Sequence, residues 1–188
     1  MSSVNIVVGL SGVGKSTVLE KATEKSGEEY EVINYGDRMV ETAKDRGLVE
    51  HRDEMKDLDV ETYKDIQKKA AESIVEDSED GNVIVDTHAT IKSPFGYIPG
   101  LPKWTIENLM PDKLVMLTAD SEAIFKRSQE GGRDREHESV EDIEEYQEVA
   151  REMAATGSVL TGAYLQIIEN REGKADEAAE KLVETLEA

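Results

Sequence analysis

The stretch Gly9-Leu10-Ser11-Gly12-Val13-Gly14-Lys15-Ser16-Thr17 decides the fold of this chain. It satisfies every specified position of the pattern G-x-x-x-x-G-K-[ST], in which a glycine-rich turn wraps a phosphate group. An apolar run from Val4 to Val8 precedes it and predicts a buried strand, and the residues from Val18 to Ala22 predict the first turns of a helix. Strand, loop and helix therefore follow one another as a phosphate-binding loop requires. The alternative is a glycine-rich turn that carries a lysine by chance.

The residue types in this stretch suit a nucleotide phosphate. Glycine has no Cβ, so the backbone can wrap the phosphate with its N–H groups, and the helix N-terminus adds a partial positive charge. Lys15 is predicted to reach the β- and γ-phosphates, and the Ser16 hydroxyl to ligate Mg²⁺. The candidate ATP-binding residues are Gly9, Leu10, Ser11, Gly12, Val13, Gly14, Lys15, Ser16 and Thr17.

Length and composition favour a single intracellular domain. A chain of 188 residues can bury a core large enough for an enzyme. Cysteine is absent, which excludes disulfides and thiolate metal sites and fits a reducing cytosol. The N-terminus leads directly into the first predicted strand, which leaves no room for a signal peptide, and no apolar run is long enough to span a membrane. We therefore expect a cytoplasmic protein.

The charge is strongly acidic, with 42 Asp and Glu residues against 22 Lys and Arg residues and a formal net charge of −20. Such a surface repels nucleic acids and anionic lipids, so we expect neither as a partner. Two explanations of the charge remain: an ordinary acidic cytosolic protein, and a halophilic protein whose self-repulsion is screened by salt. We favour adaptation to high salt, because self-repulsion of this size would otherwise destabilise the compact state.

Strands and helices alternate along the chain, which predicts an α/β fold with a parallel sheet, flanking helices and right-handed crossovers. Five strands are predicted, at residues 4–8, 30–35, 82–86, 113–118 and 163–169. Between and after them, helices are predicted at 38–46, 121–129, 139–153 and 174–186, with a short and a long helix between 52 and 77. Residues 92–102 hold most of the prolines and are predicted to form a shaped loop.

Ligands of such sheets lie at the carboxyl ends of the strands, where the third strand ends in Asp86. An acid at this position can order Mg²⁺ or its water ligands. The alternative is a helix-capping or turn aspartate. With a phosphate-binding loop in the same sheet, we favour the magnesium role.

Three arginines, Arg127, Arg133 and Arg135, crowd into one acidic segment interrupted by glycines. Arginine makes planar, bidentate contacts with phosphates, and several on one segment suit a lid that closes over transferring phosphates. The alternative is a solvated loop in which these arginines pair with neighbouring acids.

Four further residues are candidates for a second substrate. Arg38 and Arg52 follow the second strand, where such a substrate would dock, and either could bind its phosphate. Lys92 and His88 follow the third strand and complete the set. Surface positions for the cations and a structural hydrogen bond for the histidine are the alternatives.

Missing motifs narrow the class of phosphate-loop protein. The chain lacks the N-K-x-D motif of GTPases, the L-S-G-G-Q motif of transporter ATPases and the basic surface of a nucleic-acid motor. A small-molecule kinase remains. An acceptor that is itself a phosphate brings an anionic nucleophile and needs surrounding positive charge, which the arginines supply. This favours a nucleoside monophosphate as acceptor without choosing its base.

One long segment carries a family resemblance, namely Asp86-Thr87-His88-Ala89-Thr90-Ile91-Lys92-Ser93-Pro94-Phe95-Gly96-Tyr97-Ile98-Pro99-Gly100-Leu101-Pro102. Together with shorter matches at 34–36, 47–50, 52–55, 66–67 and 160–163, it resembles the archaeal-type adenylate kinases over essentially the whole chain. The resemblance implies the reaction ATP + AMP ⇌ 2 ADP with Mg²⁺, a P-loop kinase fold with a five-stranded parallel sheet and a short lid, and a homotrimer.

The resemblance also implies roles for particular residues. Arg127 would lie against the ATP adenine, while Arg133 and Arg135 would reach the phosphates from the lid. A single domain, 1–188, would include an AMP-binding region at 36–80 and a lid at 128–140. The chain departs from the family pattern at 37–39 and at Lys56, both on the AMP side. The alternatives are a kinase of CMP, UMP or dTMP, and a regulator that binds ATP without transferring phosphate.

Overall fold

Five parallel strands form the main sheet of the structure, a computed structural model that describes residues 3–130 and 137–188. In chain order the strands are β1 (Val4–Val8), β2 (Tyr30–Asn34), β3 (Asn82–Thr87), β4 (Thr90–Ser93), β5 (Gly96–Pro99), β6 (Lys113–Thr118) and β7 (Tyr164–Glu169). The helices are α1 (Lys15–Lys25), α2 (Tyr35–Asp45), α3 (Val60–Asp77), α4 (Lys103–Leu109), α5 (Ser121–Glu130), α6 (Val140–Thr161) and α7 (Ala175–Leu186), with a 3₁₀ helix at Arg52–Asp57.

The strand order in the main sheet is β2-β3-β1-β6-β7, with every neighbouring pair parallel. β1 is central and all five of its residues are buried, Asn5 among them, as expected for a strand covered on both faces. The chain continues from β1 to one side of the sheet and later crosses to the other. Such a reversal opens a crevice at the carboxyl ends of the strands, where ligands bind in open α/β sheets. The predicted α/β fold with a five-stranded parallel sheet is confirmed.

Helices flank this sheet in two groups. α1 packs against α7, while α3 contacts both α2 and α4, and α6 contacts α4, α5 and β6. Buried aliphatic side chains fill the space between the layers, including Ile6, Ile66, Leu114 and Leu182. No helix within residues 3–130 and 137–188 is both long and apolar enough to cross a bilayer.

The prediction of a loop over residues 92–102 is wrong. β4 and β5 form an antiparallel hairpin there, with Thr90 opposite Pro99 at its open end. Both prolines of the hairpin lie where a strand tolerates them: Pro94 is in the turn, and Pro99 is the last residue of β5. The hairpin is closed by the Gly100 N–H, which donates to the Ala89 carbonyl oxygen at 2.9 Å. Only glycine fits there, because a Cβ atom would lie 2.0 Å from the His88 carbonyl oxygen.

Several element boundaries also differ from the predicted ones. Tyr35 begins α2 instead of ending β2, because Asn34 caps that helix by accepting a hydrogen bond from the Asp37 N–H at 3.0 Å. α6 continues beyond the predicted end to Thr161, where Gly162 adopts a left-handed conformation and terminates it. These shifts leave the carboxyl edge of the sheet unchanged.

Candidate active site

The phosphate-binding loop joins β1 to α1 at the centre of the carboxyl edge. Gly12 and Gly14 have φ angles of 89° and 85°, a region that favours glycine. α1 begins at Lys15 with Gly14 as its N-cap, and no side chain caps the first turn. The first N–H groups of the helix are therefore available to an anion, which is the geometry of a phosphate site.

Three side chains from distant parts of the chain hold the loop carbonyls. His88 follows β3, Arg127 lies on α5 and Asn170 follows β7. Through Nδ1, Nη1 and Nδ2 they donate hydrogen bonds of 2.8 Å to the carbonyls of Gly9, Gly12 and Val13, respectively. In a trans peptide the C=O and N–H groups point in opposite directions. Holding the carbonyls away from the phosphate position therefore directs the following N–H groups toward it.

Asn170 is the residue of this set that the sequence analysis missed. Its side chain is buried, and Val13 offers only a carbonyl oxygen, so the contacting atom must be the Nδ2 donor. Asn170 Oδ1 has no hydrogen-bond partner among the described residues. A Cβ atom on Gly14 would lie 2.5 Å from Asn170 Nδ2. Position 14 therefore requires glycine both for its positive φ angle and for the space that Asn170 occupies. The position directly after a strand at the carboxyl edge is the signal that could have identified it.

Lys15 and Asp86 meet directly beneath the loop. The Lys15 ammonium contacts Asp86 Oδ1, and both side chains are largely buried. Asn34 Nδ2 donates to the other carboxylate oxygen of Asp86 at 3.4 Å. The parallel register places Asp86 opposite Val7 of β1 and Asn34 of β2, which explains the convergence. The structure thus brings together the predicted lysine of the loop and the predicted acid of β3.

The donor set at this point suits Mg²⁺. The Asp86 carboxylate and the Ser16 hydroxyl supply oxygen atoms, and Mg²⁺ prefers oxygen ligands shared with water and substrate phosphates. Ser16 is exposed on the first turn of α1, directly after the lysine of the loop. The two residues predicted to ligate the metal therefore fit it chemically.

A cavity of about 610 Å³ opens next to the loop, at the carboxyl ends of β2 and β3. Met39, Met55 and Tyr63 provide apolar walls, and Gly36 and Gly100 also line the cavity. Asp86 and His88 line the cavity and also contact the phosphate-binding loop, so the two sites share a wall.

Tyr35 and Gln67 form the buried end of this cavity. Burial raises the pKa of the Tyr35 hydroxyl well above its usual value, so the hydroxyl stays protonated. It donates to the Gln67 carbonyl oxygen at 2.8 Å and shares a 3.1 Å hydrogen bond with the Thr105 hydroxyl. These contacts fix α2, α3 and α4 around the base of the cavity.

Relatives identify the family. A family model described as an AAA domain matches residues 8–144. The chain is 46% identical over 189 residues to the adenylate kinase of Methanocaldococcus jannaschii, covering 98% of each chain. It is 44% identical to the adenylate kinase of Methanothermobacter thermautotrophicus, over 98% of this chain and 99% of that one. The chain belongs to the adenylate kinase family. It is a phosphotransferase, as predicted.

Solved structures support the same fold at lower identity. A shikimate kinase from Bacteroides thetaiotaomicron superposes with a TM-score of 0.63 at 14% identity, over 100% of both chains. A shikimate kinase from Acinetobacter baumannii in complex with shikimate gives a TM-score of 0.61 at 16% identity, over 99% of this chain and 93% of that one. The P-loop kinase fold is thereby confirmed for this member of the adenylate kinase family.

Of the four residues predicted on the AMP side of this adenylate kinase, Arg52 and His88 line the cavity. Arg52 is exposed and forms an ion pair with Asp37. The structure does not bring Arg38 or Lys92 to the cavity. Their contacts lie elsewhere.

Arg38 and Lys92 are held by ion pairs between elements. Arg38 Nη1 donates to Ser73 Oγ at 2.6 Å and to Asp77 Oδ2 at 2.5 Å, which ties α2 to α3. Lys92 on β4 contacts Asp142 on α6. This hydrogen bond raises the pKa of the Lys92 ammonium and lowers that of the Asp142 carboxyl. Arg38 therefore links α2 to α3, and Lys92 links the β4–β5 hairpin to α6.

Arg133 and Arg135, predicted on the lid, lie outside the described residues.

Proposed function

We propose that the chain transfers the γ-phosphoryl group of ATP to AMP, with ATP on the loop Gly9–Thr17 and AMP in the adjacent cavity. This proposal rests on the wall that the phosphate-binding loop and the cavity share. Asp86 contacts Lys15, His88 holds the Gly9 carbonyl, and both side chains line the cavity. A phosphate held in the cavity would therefore lie beside the γ-phosphate of a nucleotide on the loop.

The transfer needs no protein base, because the attacking group is an anionic phosphate oxygen of AMP. This oxygen forms a bond to the γ-phosphorus while the bond from that phosphorus to the β,γ-bridging oxygen breaks, and ADP leaves. The main task of the protein is to offset negative charge on both nucleotides. We assign this task to Lys15, Arg127, Arg133 and Arg135 on the ATP side, and to Arg52 on the AMP side.

The position of Arg127 supports its share of this role. Its Nη1 donates to the Gly12 carbonyl, which leaves the rest of the guanidinium beside the loop where ATP would lie. Mg²⁺ would be held by Ser16 and Asp86, and when bound it supplies positive charge that offsets the phosphates.

The decisive assay is ADP formation from Mg²⁺-ATP with a panel of monophosphates, AMP, CMP, UMP and dTMP, in a coupled reaction. We expect AMP to be preferred by at least about tenfold in kcat/KM, since a pocket built for one base discriminates by differential transition-state binding. A reaction without acceptor measures background ATP hydrolysis. A strong preference for a pyrimidine would overturn the adenine assignment. ATP binding without any ADP formation would show a non-catalytic regulator.

We also propose that the chain is adapted to high salt, since its formal charge is −20. Raising KCl from roughly 0.1 M to about 2 M shortens the screening length from about 10 Å to below about 3 Å and weakens the repulsion between surface carboxylates. We expect the free energy of unfolding to rise with KCl. Urea titrations measure this without adding a second salt, and equal stability at both concentrations would contradict the adaptation.

The resemblance to archaeal-type adenylate kinases supports a homotrimer, and the absence of cysteine supports a cytoplasmic location. The acidic charge argues against nucleic acids and anionic membranes as partners.

A further inference from the structure

The inner wall of the cavity carries an amide whose orientation is fixed from behind. Gln67 on α3 is buried and lines the cavity. Its Oε1 accepts a hydrogen bond of 2.9 Å from the indole Nε1 of Trp104 on α4. Trp104 and Lys64 line a neighbouring depression, which Gln67 also lines. The Lys64 ammonium lies 4.7 Å from the centre of the indole ring.

The indole determines which amide atom faces the cavity. An indole N–H can only donate, so the amide atom that it contacts must be the oxygen. The other amide atom is therefore Nε2, and none of the described residues accepts a hydrogen bond from it. The helix backbone beneath it is also fixed, because the Tyr35 hydroxyl donates to the Gln67 carbonyl. Because Gln67 lines the cavity, Nε2 is the amide atom available to donate to a ligand bound there.

We propose that Trp104 is a positioning residue that selects the acceptor base by holding the Gln67 N–H donor toward it. This inference rests on the proposal that the cavity binds AMP. Adenine has an unprotonated N1 that can accept the hydrogen bond. Hypoxanthine and guanine carry a hydrogen at N1, so two donors would face each other in a buried place. An unsatisfied buried donor weakens binding more than the loss of one contact does.

Trp104→Phe tests the proposal, since phenylalanine keeps an aromatic ring beside Lys64 but lacks the N–H donor. The Gln67 amide can then turn its oxygen toward the base. We expect the ratio of kcat/KM for AMP over IMP to fall about threefold to tenfold, the loss of one hydrogen bond. The KM for Mg²⁺-ATP should not change. Purine riboside 5′-monophosphate keeps the unprotonated N1 without the 6-amino group, so with the unmodified chain it should behave more like AMP than like IMP.

Two further variants of Gln67 separate the possible failures. Gln67→Leu should raise the KM for AMP; an unchanged KM would show that the cavity is not the AMP site. If Gln67→Leu raises this KM while Trp104→Phe preserves the AMP/IMP ratio, the site stands and the role of Trp104 is wrong. Gln67→Glu gives a second test should Trp104→Phe fail to fold. A carboxylate can accept from Trp104 and still present an acceptor to the base, so the ratio should shift toward IMP.

Lys64→Met is the matched control. It removes the charge over the indole and leaves the N–H donor in place, so we expect the AMP/IMP ratio to stay at its original value. Thermal unfolding of each variant measures any loss of stability. A purely structural defect would lower kcat/KM for AMP and for IMP equally and leave their ratio unchanged. A ratio that changes in Lys64→Met as much as in Trp104→Phe would overturn the proposal.

Discussion

Replacing Lys15 by methionine is expected to lower kcat by about 10²- to 10³-fold, the usual cost of removing one preorganised group that stabilises transition-state charge. The Lys15 ammonium lies at the start of α1 and contacts Asp86, at the wall shared by the loop and the cavity. The KM for AMP should change little, because the cavity wall is otherwise intact. Initial rates of ADP formation at saturating ATP and AMP measure the effect.

Lys21→Met is the matched control for this prediction. Lys21 lies on the same helix and also forms an ion pair, with Asp176 of α7, but that pair is remote from the loop. Surface pairs contribute little to stability, so we expect kcat within about twofold of the original value. If Lys15→Met kept more than about a tenth of kcat, the assigned role of Lys15 in phosphoryl transfer would be wrong.

Asp86→Asn is expected to lower kcat by about 10²-fold or more and to raise the Mg²⁺ concentration needed for half-maximal rate. Asparagine has nearly the same shape as aspartate, so the chain should fold. It removes the negative charge that faces Lys15, and it replaces a carboxylate by a weaker ligand for a hard cation. Rates measured against free Mg²⁺ at saturating nucleotide separate the metal requirement from the rate at full metal.

Asp120→Asn provides the comparison at the neighbouring strand end. Asp120 follows β6 and accepts a hydrogen bond from the Ala123 N–H at 2.9 Å in the first turn of α5. Asparagine serves equally well at a helix N-terminus, so this variant should keep both the rate and the Mg²⁺ dependence. An Asp86→Asn chain with unchanged Mg²⁺ dependence would remove Asp86 from the proposed metal site.

The phosphate-binding loop and the parallel sheet around it could be predicted because both follow from local sequence patterns. The glycines, lysine and serine of the loop have one common use at that spacing. A parallel sheet brings the carboxyl ends of all its strands to one edge, so the acid that ends β3 is expected at the edge that carries the loop. The observed pairing of β3 with β1 then places Asp86 next to Lys15. No knowledge of side-chain partners is needed for either step.

The partners of the isolated cations could not be predicted in the same way. Arg38 is tied to Ser73 and Asp77, and Lys92 contacts Asp142, all distant in sequence. In a chain with 42 acidic residues, each cation has many possible partners, and residue type alone does not choose among them. The proline content of the β4–β5 segment likewise suggested a loop, because the sequence does not show that each proline falls at a turn or a strand end.

The buried amides illustrate the same limit at the site itself. Gln67 and Asn170 each act through one particular atom, whose choice depends on the tryptophan or the carbonyl that it meets. Such a pairing joins residues 37 and 157 positions apart in sequence. A helical or strand pattern reveals where an amide lies but not which of its ends faces a ligand.

Because His88, Arg127 and Asn170 hold the loop, its shape cannot be moved to another protein with the loop sequence alone. The nine residues of the loop carry the glycines and the lysine, but the direction of their carbonyls is imposed from three other strand or helix ends. Grafting the loop alone onto another parallel sheet would transfer its composition without its shape. ATP recognition in this chain therefore depends on residues along the whole carboxyl edge of the sheet. A substitution directly after β7 can distort the loop as much as a substitution between β1 and α1.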